Sequence, residues 1–317
     1  MASFRRIGKK WQAEVRIKGK AARKTFMSKI EAQSWAVEKE KEFGRGHDII
    51  HGKTLGNAFD RYAREVSPTK KGARWEIIRL EKLQRLRLAN IQMNILCADD
   101  IREWMNEAGQ ALADASVLRE LQVISAVCER ARQEWKWIAQ NPCKEVRKPR
   151  KAPPRDRRIS QDEIERILLA LQYEDVAAVV NTRQGIAVAF LLALETGMRQ
   201  GEIWGLTWKN VYLDKKYVTL PDTKNGFKRD VALSSRAVQL IEKMRGGTSK
   251  GRVFESNQAS CGAVFRRAVI MADIKDLTFH DARHEACTRL ARKLDMLDLA
   301  KMIGHRDPRS LMIYYNL

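Results

Sequence analysis

The sequence predicts an α+β protein that is mainly helical. It should hold a small amino-terminal three-stranded sheet plus helix, a helical domain, and a mostly α domain with a small antiparallel sheet. Three observations predict this. Trp11, Ala13, Val15 and Ile17 alternate with Gln12, Glu14, Arg16 and Lys18, the period of two of a strand with one covered face. From Leu55 the apolar positions step instead by three and four, through Phe59, Tyr62 and Val66, which is a helical period. KEVRKPRKAPPRDRR at 144–158 then interrupts the helical pattern, and a run of that charge and proline content cannot build a core.

A chain of 317 residues exceeds the usual size of a single core. The expected domains are 1–50, 53–146 and 160–317, with 147–159 as a basic linker. Lysine and arginine number 60 against 39 aspartates and glutamates, a net charge of +21. Such an excess points to a polyanionic partner, because each neutralised phosphate releases counterions. Cys97, Cys128, Cys143, Cys261 and Cys287 are odd in number, widely spaced and form no Cys-x-x-Cys pair, so neither a disulfide framework nor a zinc site is expected. MASFRRIGKKWQ lacks the apolar stretch of a signal peptide. IAVAFLLAL at 186–194 is far shorter than the roughly 20 residues of a spanning helix. A soluble, intracellular protein is the expectation, without a membrane contact.

In the first domain Gly19 marks a turn, and Ser28 with Glu31 has capping-box spacing at the start of SKIEAQSWAVEKEKEF. Ile30, Trp35 and Val37 are expected to face the sheet. Basic outward side chains such as Arg16 and Lys18 suit a DNA groove, although a small solvated sheet accounts for them equally well. Gly44 and Gly46 read as a linker. Ser67-Pro68 should stop the first helix of the second domain, and helical patterns follow in RWEIIRLEKLQRLRL and DDIREWMNEA. The last helix, from Ala115, is expected to run to Asn141-Pro142.

The third domain holds the residues that could do chemistry. Ser160 and Glu163 form another capping box, and the apolar helix ending in LETG should stop at Gly197. Arg199 follows in a turn, with Glu202 three residues on and able to orient its guanidinium. KYVTLPDTKNGFKRDVALS reads as a β-hairpin with Lys224 near the tip. On a helix starting near Phe279, His280, Arg283 and His284 share a face. The two histidines have metal-pair spacing, yet no third ligand lies nearby, so neither metal nor cofactor is expected. His305 sits in a glycine-containing turn and Tyr314 lies nine residues later. Together these are the parts of a metal-independent phosphoryl transfer: tyrosine as nucleophile, fixed cations for the phosphate oxygens, lysine as proton donor. Ionising an unperturbed tyrosine at neutral pH costs about 4 kcal/mol unless cations help. Tyr315 is about 100° away on a helix, and physics alone does not choose between the two.

These residues resemble the tyrosine recombinases, in particular phage-type integrases and plasmid DNA-inversion recombinases. TGMRQGE matches the family's arginine box at Arg199 and Glu202, TKNG its hairpin lysine at Lys224, and HDAR its His-x-x-Arg box at His280 and Arg283. IGHRD matches the Gly-His box at His305, and the step of nine residues selects Tyr314. The resemblance implies attack on the scissile phosphate, a 3′-phosphotyrosyl intermediate, a free 5′-hydroxyl, and a homotetramer on a four-way junction. It further implies an arm-site domain at the amino terminus and a core-site-binding (SAM-like) helical domain at 53–146. Arg16, Lys18, Lys148, Arg150 and Lys151 then become DNA contacts. The partner is a double-stranded attachment site, with a DNA-bending host factor and an excisionase as the accessory proteins such a reading allows. Ala282 departs from the family's usual leucine, and only Tyr315, Asn316 and Leu317 follow the tyrosine. The expected function is integration or excision of a prophage or other mobile element. The alternative is a DNA-binding regulator or accessory factor without strand transfer.

Overall fold

The computed structural model describes residues 2–17, 20–44, 49–150, 153, 155–175, 178–221, 228–246, 250–305 and 307–315. Contacts divide the chain into two units, Met1–Pro153 and Pro154–Leu317.

The first unit opens with strands β1 (Ala2–Ile7), β2 (Lys10–Ile17) and β3 (Lys20–Phe26), antiparallel in that order. Helix α1 (Lys29–Gly44) covers one face. It begins at the expected capping box: Glu31 N–H donates to Ser28 Oγ at 3.2 Å and Ser28 N–H to Glu31 Oε2 at 3.4 Å. Trp35 packs against the sheet core as expected, but the rest of the buried face differs from expectation. Ala32 and Ala36 pack on Ala13 and Val15, whereas Ile30 and Val37 stay 75% and 50% exposed. Two alanines four residues apart let the helix backbone approach the sheet closely, and the bulkier side chains are left beside that seam. Arg16 is exposed and donates to Glu14 at 2.9 Å; Lys18 lies outside the described residues.

Helices α2 (Leu55–Glu65), α3 (Ala73–Leu83), α4 (Ala98–Ala111) and α5 (Asp114–Arg130) share a separate core. Leu55, Phe59 and Tyr62 are buried on the predicted stripe, and α2 ends before Pro68. The long last helix stops earlier than expected. A π turn at Ala131–Trp135 leads into left-handed Lys136, φ 58°. On a straight helix, positions two apart stand about 200° round the axis. The π turn and reversal instead bring Trp135 and Trp137 into one core, with ring centroids 5.2 Å apart. Lys148 and Arg150 are exposed and outside regular structure, and Lys151 lies outside the described residues.

The second unit contains α6 (Gln161–Ala170), α7 (Thr182–Thr196), α8 (Gln200–Trp204), β4 (Val211–Tyr212), β5 (Tyr217–Leu220), β6 (Arg229–Ala232), α9 (Ser235–Glu242), α10 (Gln258–Met271), α11 (Phe279–Ala291), α12 (Met296–Ile303) and α13 (Met312–Tyr315). The strands form an antiparallel sheet in sequence order. The apolar run at 186–194 is the buried heart of α7, packed among aromatic residues such as Phe265 and Phe279. Among the described residues no helix is long and apolar enough to cross a membrane.

Residues 155–159, read from the sequence as the end of an extended linker, are tied to this second unit. Arg155 donates to Asp281 at 2.6 and 2.8 Å and to Asp276 at 2.9 Å, Arg157 to Glu163 at 2.9 Å, and Arg158 to Glu285 at 2.7 and 3.1 Å. Ile159 is buried in the core. Composition reports the charge of these arginines but not the carboxylates that accept from Arg155 and Arg158 more than a hundred residues later.

Candidate active site

The turns that end α7 and α12, strand β6 and helices α11 and α13 carry the site. Helix α7 ends at Gly197, whose φ of 64° favours glycine and where a Cβ would stand 3.4 Å from Ile303. Two residues on, Arg199 is the N-cap of α8. Its N–H donates to Glu202 Oε2 at 2.8 Å, and its Nη1 to Oε1 at 2.8 Å. Glu202 thus accepts two hydrogen bonds from Arg199, one from its backbone and one from its guanidinium.

A residue that sequence reasoning passed over completes this arrangement. Arg229, on β6, donates to both oxygens of Glu202, at 2.9 and 2.7 Å, and through Nε to Met302 O at 3.1 Å. Its signal was available: Arg229 shares the strand period with Val231, which is fully buried. Burial pushes the Glu202 pKa up, but the bonds from Arg229 and then Arg199 outweigh it and hold the carboxyl below its usual range.

Helix α11 starts at Thr278, which exchanges capping bonds with Asp281. On the face predicted to carry chemistry, Arg283 is 3% exposed and donates to Gly197 O and, at 2.9 Å, to Ile303 O. Those carbonyls close α7 and α12, so one guanidinium ties three elements together. His280 stands at the solvent-exposed end of this face, its ring edge-on to His284 with centroids 5.1 Å apart. Surrounding protein lowers its pKa, with His284 and Arg283 adding to the effect.

Helix α12 ends at Gly304, φ 70°, and His305 follows in the turn, half-buried. Burial, then Arg283, Arg199 and Arg229, bring the His305 pKa down to about 4, so its imidazole is neutral at pH 7. Tyr314 on α13 is 6% exposed, and its Oη lies 3.0 Å from Nδ1 of His284. Burial first, then Cys287, push its pKa well above the usual tyrosine value, while Arg283 pulls the other way. Tyr315 turns elsewhere and donates to Leu294 O at 3.0 Å. Lys224 lies outside the described residues. Among the described residues no cluster of three or more His, Cys, Asp or Glu side chains could hold a metal.

The structure thus brings Arg199, Glu202, His280, Arg283, His305 and Tyr314 into one unit and adds Arg229, His284 and Cys287. His284 was visible on the α11 face but carried no assigned role. A bond between residues 30 apart leaves no local pattern to read.

Residues 157–317 match the model of the phage integrase family. A Haemophilus influenzae protein described as an integrase/recombinase is 37% identical over 315 residues, covering 97% of this chain and 85% of the relative. The shufflon-specific DNA recombinase of Escherichia coli is 33% identical over 278 residues, 84% of this chain and 70% of that protein. Among solved structures, a lambda integrase dimer bound to a COC′ core site superposes with a TM-score of 0.68 over 83% of this chain and 95% of that one. At 19% identity that likeness concerns the fold. The chain belongs to the phage integrase family. It is a tyrosine-type site-specific DNA recombinase, and its reaction is DNA strand breakage and rejoining.

Proposed function

We infer that Tyr314 is the nucleophile and that Arg199, Arg283, His280 and His305 surround the scissile phosphate. One observation carries this reading: Tyr314 is buried against the α11 face that also bears His280 and Arg283. In-line attack by Oη forms an oxygen–phosphorus bond and expels the 5′-oxygen, leaving a 3′-phosphotyrosyl link. The arginines take the charge that builds on the non-bridging oxygens, and the two histidines supply further hydrogen bonds to them. Lys224 gives the departing oxygen its proton. Glu202 acts through Arg199, whose guanidinium it holds in place.

The substrate is a double-stranded attachment site, contacted also by Arg16, Lys18, Lys148, Arg150 and Lys151, with a homotetramer carrying out strand exchange. The solved lambda integrase tetramer bound to a Holliday junction supports that assembly by its fold. Integration or excision of a prophage or other mobile element in a bacterial cytoplasm is the biological setting, with a DNA-bending host factor and an excisionase as accessory partners. Nicked DNA bearing the repeats that flank the gene should trap a covalent adduct with the wild type and none with Tyr314→Phe. A protein that shifts this DNA in a gel yet never forms the adduct would be a regulator instead.

A further inference from the structure

A tyrosine whose pKa is raised by burial cannot attack as a phenolate already present at neutral pH, so its proton must leave during the attack. We propose that His284 is the base that takes it. This rests on Tyr314 being the nucleophile. The geometry is direct: Nδ1 of His284 is 3.0 Å from Tyr314 Oη, hydrogen-bond distance, with the two rings tilted by 43°. His280, by contrast, meets the edge of His284 and stands at the exposed end of the helix.

The helix under His284 is held on its other sides. Asp281 and Glu285, 0% and 3% exposed, receive Arg155 and Arg158. Thr288 Oγ1 donates to the carbonyl of His284 at 3.1 Å. A cavity of about 240 Å³, walled by Arg155, Arg158, Thr288 and Ile313, adjoins both His284 and Tyr314.

The charged and titratable groups facing the imidazole are His280, Asp281 and Arg283 on α11, while Cys287 on the same helix acts on Tyr314. To these are added Arg155, Asp156 and Arg158 before α6, His305 after α12, and Tyr314 itself. Burial lowers the His284 pKa, Arg283 and Arg155 lower it further, and Asp281 opposes them. The ring is therefore neutral near pH 7 and able to accept. Cys287, whose thiol burial pushes up, stays protonated and is no competing base.

The step balances. The Tyr314 O–H bond breaks and its proton goes to His284 Nδ1 while Oη bonds to phosphorus. The phosphorus–O5′ bond breaks, and that oxygen takes a proton from Lys224. Rejoining runs the sequence backwards, and His284 returns the proton to Tyr314.

Single-turnover cleavage of the nicked duplex, followed against pH, tests this with two substrates: the ordinary phosphodiester and one whose 5′-bridging oxygen is sulfur. A thiolate leaves without a proton, so the sulfur substrate bypasses the acid and still needs the base. His284→Gln and His284→Phe should be slower on both substrates by about 10²–10⁴-fold, the usual range for a general base. They should also lose the acid limb of the wild-type profile and rise about tenfold per pH unit as hydroxide takes over. Lys224→Ala should be slow on the phosphodiester and restored on the sulfur substrate. His284 variants that keep the wild-type pH profile, or recover on the sulfur substrate, would overturn the assignment, and a merely structural defect would leave that profile unmoved. A wild type that forms no adduct on either substrate overturns the Tyr314 reading as well.

Discussion

Arg229 grips Glu202 with both arms of its guanidinium, at 2.9 and 2.7 Å, and both side chains are at most 9% exposed. Paired, bidentate bonds fix a carboxylate in plane as well as in position. Because Glu202 also receives the N–H and Nη1 of Arg199, Arg229 is a positioning residue acting through two others. Removing one partner of a buried ion pair typically costs about 3–5 kcal/mol. Arg229→Ala should lower the melting temperature and cut single-turnover cleavage by more than tenfold. Arg229→Lys keeps the charge without the fork and should fall between. Wild-type cleavage by the alanine variant would show that Arg199 needs no such support.

Gly304 is required twice over. Its φ of 70° strains any other residue, and a Cβ there would lie 2.8 Å from Nη1 of Arg229. Gly251 has a comparable φ of 80° but nothing within 4 Å of its would-be Cβ, which makes it the control. Gly251→Ala should lose only the backbone part, about 1–2 kcal/mol, and keep its cleavage rate. Gly304→Ala should lose more stability and most of its activity. Equal effects in the two variants, by melting temperature and adduct yield, would mean that the contact with Arg229 is unimportant.

Much of the fold was legible because it is local. Capping boxes at Ser28 and Ser160, the glycine stop at Gly197 and the helix beginning near Phe279 all stand where spacing put them. On α1 bulk is a guide to Trp35, which packs on the sheet core, but not to Ile30 and Val37, which stay exposed while the small Ala32 and Ala36 are buried. The end of α5 was misread because nothing local distinguishes a helix that continues from one that turns to bury Trp135 and Trp137 together. In the site, Arg199 and Glu202 lie within one turn and were visible. Arg155 and Arg158, which reach Asp281 and Glu285, are 126 and 127 residues away from them, and no periodicity reaches that far.

Glu285 sets a pH dependence of stability. Burial pushes its carboxyl up, but Arg158, Arg289 and the N–H of Ile159 win and hold the pKa at about 2. A carboxylate depressed in the folded state contributes fully above its unfolded pKa, near 4.3, and loses that contribution as pH falls through the folded value. The window is therefore about pH 5 down to 2. Urea titrations should find Glu285→Gln most destabilised above pH 5, with the difference shrinking on acidification. A difference that stays flat between pH 7 and 3 would mean that the charge on Glu285 adds nothing.

Tyr315 should be dispensable for chemistry and useful for packing. Its hydroxyl donates to Leu294 O at 3.0 Å, close to the start of α12, whereas Tyr314 points to His284. Deleting one such hydrogen bond costs about 1 kcal/mol. Tyr315→Phe should thus form the covalent DNA adduct at close to the wild-type rate and melt slightly lower. Tyr314→Phe should melt normally or slightly lower and form none. If the adduct instead survives in Tyr314→Phe and disappears in Tyr315→Phe, the nucleophile is the neighbour, and α13 must turn by about 100° to present it.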